Sequence, residues 1–406
     1  MKTILTLLLT GCLAIALVAA QSRSAADQYQ EALRLEEVKG DLKGAIELYK
    51  KLAQGSDRAI AAKALIQMAT CYEKLGHPEA HKAYERVVRE FKDQAETAAT
   101  ARARLAAIPD GSIGRTDISF RRVWNGSQNQ APAVSYDGRY IAYQFGAGSI
   151  NVRELATRQD RTLIPPQPSR QDAEDPAISR DGRMVAYTWF TGGRYELRTV
   201  AVQAASPSQP RRLFRTDDVA EPTPFDWSPD GRTIAVHLLR DDRTSQIGLI
   251  STVDGSLKVL KSMDWYEYKK RTNRWSVMSF SPDGKYLAYD LAADRKSGQR
   301  DVFVVAVDGG QEIAVIAHPS DDLLAAWSPD GQHLLFLSDR TGSMGLWSQP
   351  MVDGRPQGPA ALIKTDLGAA RSMGITASGA LHFFQRSGSV DEVWVLENFL
   401  PRAVKR

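Results

Sequence analysis

The chain has 406 residues, with 52 lysines and arginines against 48 aspartates and glutamates, a formal net charge of +4, and two cysteines. So small a charge excess gives no footing for a nucleic-acid partner, and no basic motif of a known reader occurs. The length leaves room for two or three domains.

Residues 1–20 read as an export signal. Met1-Lys2 is a minimal positive start, Ile4–Leu17 an apolar run, and Val18-Ala19-Ala20 offers small residues for cleavage before Gln21. Leu9-Thr10-Gly11-Cys12 also fits a lipoprotein cleavage box that would put a lipid on Cys12. That leaves an apolar run of only about seven residues, at the short end for a signal, so simple cleavage is the reading adopted. No other stretch is long and apolar enough to span a bilayer. The expectation is a periplasmic or secreted protein without a membrane span. With Cys12 removed, Cys71 stands alone, and no intramolecular disulfide is available to staple the fold.

Residues 24–108 are rich in Ala, Leu, Glu, Lys and Arg. Apolar positions recur at helical spacing: Tyr29 and Leu33, then Ala45, Ile46, Tyr49 and Leu52, then Tyr84, Val87, Val88 and Phe91. Breaks at Gly40-Asp41, Gly55-Ser56-Asp57 and Gly76-His77-Pro78 predict about five helices in antiparallel hairpins. Ala45 and Ala80 each precede a tyrosine by four residues, Tyr49 and Tyr84. This resembles the tetratricopeptide repeat, although Leu33 and Glu36 stand where a small residue and an aromatic are usual. Such repeats commonly bind an extended peptide or another protein; two of them equally suit a spacer. Residues 109–114, Pro-Asp-Gly-Ser-Ile-Gly, form a turn-rich linker.

Residues 115–399 change material. All eight tryptophans lie here, and one motif returns six times: Trp227-Ser-Pro-Asp-Gly231, Trp327-Ser-Pro-Asp-Gly331, Phe280-Ser-Pro-Asp-Gly284, Val134-Ser-Tyr-Asp-Gly138, Ile178-Ser-Arg-Asp-Gly182 and Ile375-Thr-Ala-Ser-Gly379. The steps between its glycines are 44, 49, 53, 47 and 48 residues, the period of a repeat architecture. Pro, Asp and Gly suit successive positions of a type I turn closed by a φ > 0 residue. A short apolar strand follows in each case, beginning at Tyr140, Met184, Thr233, Tyr286 and His333. The Asp residues are therefore turn-formers rather than catalytic groups. Four strands per repeat and six repeats predict a six-bladed β-propeller after the helices, a multidomain α then all-β chain. The sixth repeat lacks a fourth strand, and a spare strand, residues 117–124, precedes the first. The expectation is that the spare strand completes the last blade.

These motifs resemble the TolB-type propeller family over about 285 residues. TolB itself carries an α/β domain where this chain has helices. The resemblance implies an exported binding scaffold working through protein contacts. Prolyl-oligopeptidase-like enzymes also carry propellers, but neither a Gly-x-Ser-x-Gly elbow nor a His-Glu-x-x-His motif is present.

Two candidate sites stand on the loops between blades. Trp265, Tyr266, Tyr268, Lys270, Arg271, Arg274 and Trp275 interleave aromatic and basic side chains, which suits an interface hot spot or stacking on a sugar or peptide. Asp175, Glu221 and Asp322 precede inner strands; converged on the channel they would hold a divalent cation, the alternative being solvated loop carboxylates or caps of backbone amides. The function expected is a non-catalytic scaffold for proteins or peptides, with no resident cofactor. The alternative is a propeller lyase or lactonase, or a small-molecule binder, with a metal at the channel mouth.

Overall fold

The computed structural model describes residues 24–37, 39, 41–74, 79–107, 118–126, 129–146, 148–167, 171–203, 209–264, 277–292, 299–316, 318–387 and 390–400. The chain divides into two compact units, residues 1–110 and 111–406.

Among its described residues the first unit has five helices: α1 (Ala25–Glu37), α2 (Leu42–Leu52), α3 (Arg58–Lys74), α4 (Glu79–Glu90) and α5 (Ala95–Ala107). Their starts are written in the sequence. Ser24 and Asp27 form a reciprocal cap, the Asp27 amide donating to Ser24 Oγ at 3.1 Å and the Ser24 amide to Asp27 Oδ2 at 3.3 Å. Asp41 accepts from the Gly44 amide at 2.9 Å, and Asp57 from the Ile60 amide at 3.0 Å. Each helix packs on the next, and α3 also packs on α1 and α5. Small side chains make this close approach possible: Ala32, Ala45, Ala62, Ala64 and Ala69 are fully buried beside Leu65, Tyr49 and Tyr84. Glu36, out of place as a sequence residue, has a partner here. Tyr49 donates its hydroxyl to Glu36 at 2.9 Å, and one hairpin later Tyr84 donates to Glu73 at 2.7 Å. The same bond thus ties both helix pairs.

The second unit is a six-bladed β-propeller. Strand β1 (Ser119–Gly126) comes first. Blade 1 follows as β2 (Asn129–Val134), β3 (Tyr140–Phe145), β4 (Ser149–Glu154) and β5 (Asp160–Ile164). Blade 2 is β6 (Asp172–Ile178), β7 (Met184–Thr191), β8 (Arg194–Ala201) and β9 (Arg211–Phe214). Blade 3 is β10 (Val219–Trp227), β11 (Thr233–Arg240), β12 (Ser245–Ser251) and β13 (Leu257–Met263). Blade 4 is β14 (Met278–Phe280), β15 (Tyr286–Ala292), β16 (Arg300–Ala306) and β17 (Ile313–Ile316). Blade 5 is β18 (Asp322–Trp327), β19 (His333–Ser338) and β20 (Gly345–Val352), whose inner half pairs with β22 (Ala361–Lys364) and whose end turns back on β21 (Arg355–Pro356). Blade 6 is β23 (Arg371–Ile375), β24 (Leu381–Ser387) and β25 (Val390–Glu397).

The spare strand closes the ring as expected. β1 pairs antiparallel with β25 from Ser119↔Glu397 to Gly126↔Asp391. Side chains reinforce the seam. Phe120 stacks on Trp394 at 4.9 Å, Arg122 bridges to Glu392 at 2.6 Å, and Trp124 packs edge-on against Tyr143 of blade 1 at 4.9 Å. Around the ring, six buried clusters each span one junction between neighbouring blades.

The repeated motif ties one knot of hydrogen bonds in five blades. In blade 3, Ser228 Oγ donates to Asp230 Oδ1 at 2.6 Å and accepts from the Thr233 amide at 2.9 Å, while the Arg232 amide donates to Asp230 Oδ1 at 3.0 Å. The glycine sits at φ 70°, where a Cβ is strained. Ser135, Ser179, Ser281 and Ser328 repeat the pattern. The Asp carboxylates are thus consumed in the turns.

Two predictions follow from this packing. Removing β1 strips Phe120 and Trp124 from the seam and costs about 5 kcal/mol or more, read as a lowered melting temperature of the propeller. A variant melting within about 2 °C of the parent contradicts the closure argument. The second concerns two equivalent tryptophans. Trp227 Nε1 donates to the Ala177 carbonyl of blade 2 at 3.0 Å, whereas Trp327 Nε1 has no acceptor among the described residues. In chemical denaturation Trp227→Phe costs about 1–2 kcal/mol more than Trp327→Phe; equal costs remove the inter-blade bond from the account.

Candidate functional site

The six inner strands, β2, β6, β10, β14, β18 and β23, surround a central cavity of about 170 Å³. Its wall is mainly apolar, with Val134, Ile178, Phe225, Met278, Met373 and Phe384 contributing from five blades. Pro132, Pro176 and Pro224 stand in three successive inner strands, each beside an irregularity in the pairing with the second strand. A proline has no N–H, so these strands present fewer main-chain donors to the channel.

Charge enters the wall at Asp175, Arg180, Asp226 and Arg371. The best-defined group lies at the end formed by the Asp-Gly turns. Arg180 is rooted in the blade 2 turn. Its Nη2 donates to the Phe280 carbonyl of blade 4 at 2.7 Å and lies 3.5 Å from Asp226 Oδ2 of blade 3. Its guanidinium stacks on the Tyr136 ring of blade 1 at 5.3 Å. A side chain touching blades 1, 3 and 4 from a root in blade 2 runs across the mouth rather than around it. Asp226 anchors the far side, accepting the Trp227 amide on Oδ1 and the Phe280 amide on Oδ2, both at 2.8 Å. Enclosure in the wall pushes the Asp226 carboxyl above its ordinary range, with Arg180 and the amides pulling it part of the way back.

Tyr136 and Arg180 occupy the turn position that is Pro229, Pro282 and Pro329 in the intact repeats. Pro282 also lines the cavity, so this position faces the channel. Neither residue stands out in the sequence when the six copies of the motif are taken only as turns. The signal was there: a proline exchanged for a large polar side chain at a turn position that the knot of Ser, Asp and Gly leaves free.

The residues singled out from the sequence fall as follows. Trp265, Tyr266, Tyr268, Lys270, Arg271, Arg274 and Trp275 lie outside the described residues. Asp175 lines the cavity, buried on β6 with φ 51°. Glu221 is on the neighbouring β10. Burial and then the charges of Glu174, Glu221, Asp172 and Asp175 push the Tyr195 hydroxyl upward, which brings these four carboxylates into one electrostatic neighbourhood. Asp322 stands apart on β18. One of its oxygens accepts from Arg340 at 2.8 Å, and burial pushes the carboxyl up to about 6 against the pull of that arginine. A carboxyl so easily protonated and already held by a guanidinium offers little to a cation. Among the described residues no three His, Cys, Asp or Glu side chains form a group able to hold a metal.

No family model matches the chain. Two curated relatives align with part of it. An uncharacterized peptidase YuxL of Bacillus subtilis is 28% identical over 135 residues, 31% of this chain and 19% of that protein. A dipeptidyl-peptidase 5 of Porphyromonas gingivalis is 36% identical over 77 residues, 18% of this chain and 11% of that protein. The chain therefore matches less than a fifth of the length of either relative. Among solved structures, a putative TolB from Agrobacterium tumefaciens is similar at 16% identity and a TM-score of 0.46, over 70% of this chain and 98% of that one. These are likenesses over part of the chain, and what the propeller does is read from its own residues.

Proposed function

We propose that the protein is an exported, non-catalytic scaffold that captures protein or peptide segments, with the propeller channel as its capture site and the tetratricopeptide-like helical unit as a second contact surface. The observation that carries this reading is the placement of Tyr136 and Arg180. The blade 1 and blade 2 turns, which have no proline, put an aromatic ring and a guanidinium, stacked on each other, into the wall of one mainly apolar cavity. Aromatic and arginine side chains over apolar surface are the residues that anchor protein interfaces.

Peptide is favoured over sugar as the ligand because the wall offers apolar area and few polar groups. Export rests on the signal-like residues 1–20 and places the protein in the periplasm or outside the cell; cleavage at Cys12 instead would add a lipid anchor. No nucleic-acid partner is expected.

The test uses Ser279→Trp, at a partly buried cavity-lining position on β14, which fills the channel without removing a core side chain. The full-length parent retains a subset of a random pentapeptide library and returns it uncleaved. Ser279→Trp loses at least about ten-fold of that retention while melting within about 3 °C of the parent. Undiminished retention by the filled channel, or cleaved peptides, contradicts the reading.

A further inference from the structure

We propose that the channel recognises its ligand through a carboxylate, held by the free edge of the Arg180 guanidinium and by the Tyr136 hydroxyl, next to an apolar side chain lodged against the wall. This rests on the channel being the capture site.

The argument is an account of donors and acceptors. Both Asp226 oxygens are in use, each accepting a backbone amide, from Trp227 and from Phe280. The Arg180 donors are not all in use. A guanidinium carries five N–H groups. Among the described residues Arg180 donates one hydrogen bond, to the Phe280 carbonyl, besides its approach to Asp226 at 3.5 Å. Stacking on Tyr136 covers a face of the guanidinium and leaves the edge, where the donors are. The Tyr136 hydroxyl has no hydrogen-bond partner among the described residues either.

Most other polar side chains in the wall are engaged, and Asp175 and Arg371 make interactions of their own. Ser372 Oγ donates to the Ala325 carbonyl at 2.7 Å, and Thr223 Oγ1 lies 3.3 Å from Glu221. Pro132, Pro176, Pro224 and Pro282 contribute no N–H. Beside the Ser279 hydroxyl, the side-chain donors open to a ligand are therefore concentrated at Arg180 and Tyr136. A planar, two-pronged cation beside a phenol is the donor set that a carboxylate fits, and the apolar wall strengthens such charge-assisted bonds by keeping water away. Phe280, Met278 and Phe384, which line the same cavity, provide the surface for a neighbouring aliphatic or aromatic group.

A carboxylate of this kind comes either from the C-terminus of a chain or from an Asp or Glu side chain. Three pentapeptide libraries separate these sources on immobilised full-length protein. The first has free C-termini and lacks Asp and Glu. The second is the same with amidated C-termini. The third is amidated and contains Asp and Glu. The expected result is retention of the first or the third at about ten-fold or more over the second. Arg180→Gln abolishes that preference, Arg180→Lys restores it only in part, and Tyr136→Phe weakens it about three-fold. Tyr136→Phe keeps the stacked ring, so it reports on recognition even if the Arg180 variants melt early. Equal retention of all three libraries, unchanged by Tyr136→Phe and Arg180→Gln, overturns the carboxylate assignment and leaves peptide capture standing. Retention of none overturns both. Preference for an oligosaccharide of uronic acids over every peptide also overturns it, since the apolar contact would then have no occupant.

Discussion

A ring of sheets has to end where it begins, and everything else in the propeller depends on how that join is made. Six inter-blade clusters hold the ring, and each needs a complete blade on both sides. Blade 6 has only β23, β24 and β25 from the end of the chain; the fourth place is filled by β1, from the start of the propeller. An unfilled place would leave the β25 edge unpaired, an invitation to aggregate. Arg121 and Arg122, exposed on β1, carry charge along the outermost edge of that blade, which discourages pairing with another chain. Closure also sets the distances across the channel, so the cavity exists only because the seam holds.

Within the ring, structure and site divide the same motif between them. Ser, Asp and Gly do the folding: the hydroxyl and carboxylate bind each other and the amides of the next strand, and the glycine turns the corner at φ between 68° and 73° in the five blades with the full knot. The side chain between the Ser and the Asp takes no part in the knot. Proline stiffens that position in blades 3, 4 and 5, while blades 1 and 2 place Tyr136 and Arg180 there, directed at the channel. A repeat protein can acquire a binding site at such a position without disturbing its turns. The Arg180 side chain then adds to the ring as well, tying together turns and inner strands of four blades.

Much of the fold was legible from period and pattern. The second strands begin at Tyr140, Met184, Thr233, Tyr286 and His333, the residues at which the apolar runs begin. That follows because a turn with a fixed hydrogen-bond knot leaves no freedom in where the next strand starts. The fourth strand of blade 5 was less legible, because β20 runs on past it into a two-residue pairing with β21 before β22 returns. The site was harder to see for a physical reason. Carboxylates attract notice in a sequence, but whether one is free depends on partners far along the chain, as Asp322 depends on Arg340 and Asp226 on Phe280. Glu36 shows the same limit in the helical unit, where its partner is Tyr49 of the next helix. Tyr136 and Arg180 were visible only as departures from a consensus.

The central claim is that ligand is held in the channel, and amide hydrogen exchange of the full-length protein with and without a retained peptide tests it most directly. The account predicts slowed exchange in residues 132–136, 175–180 and 223–226, which line the channel, with the outer strands of the blades unchanged. Protection confined to residues 24–107, or spread over the outer strands, would contradict it.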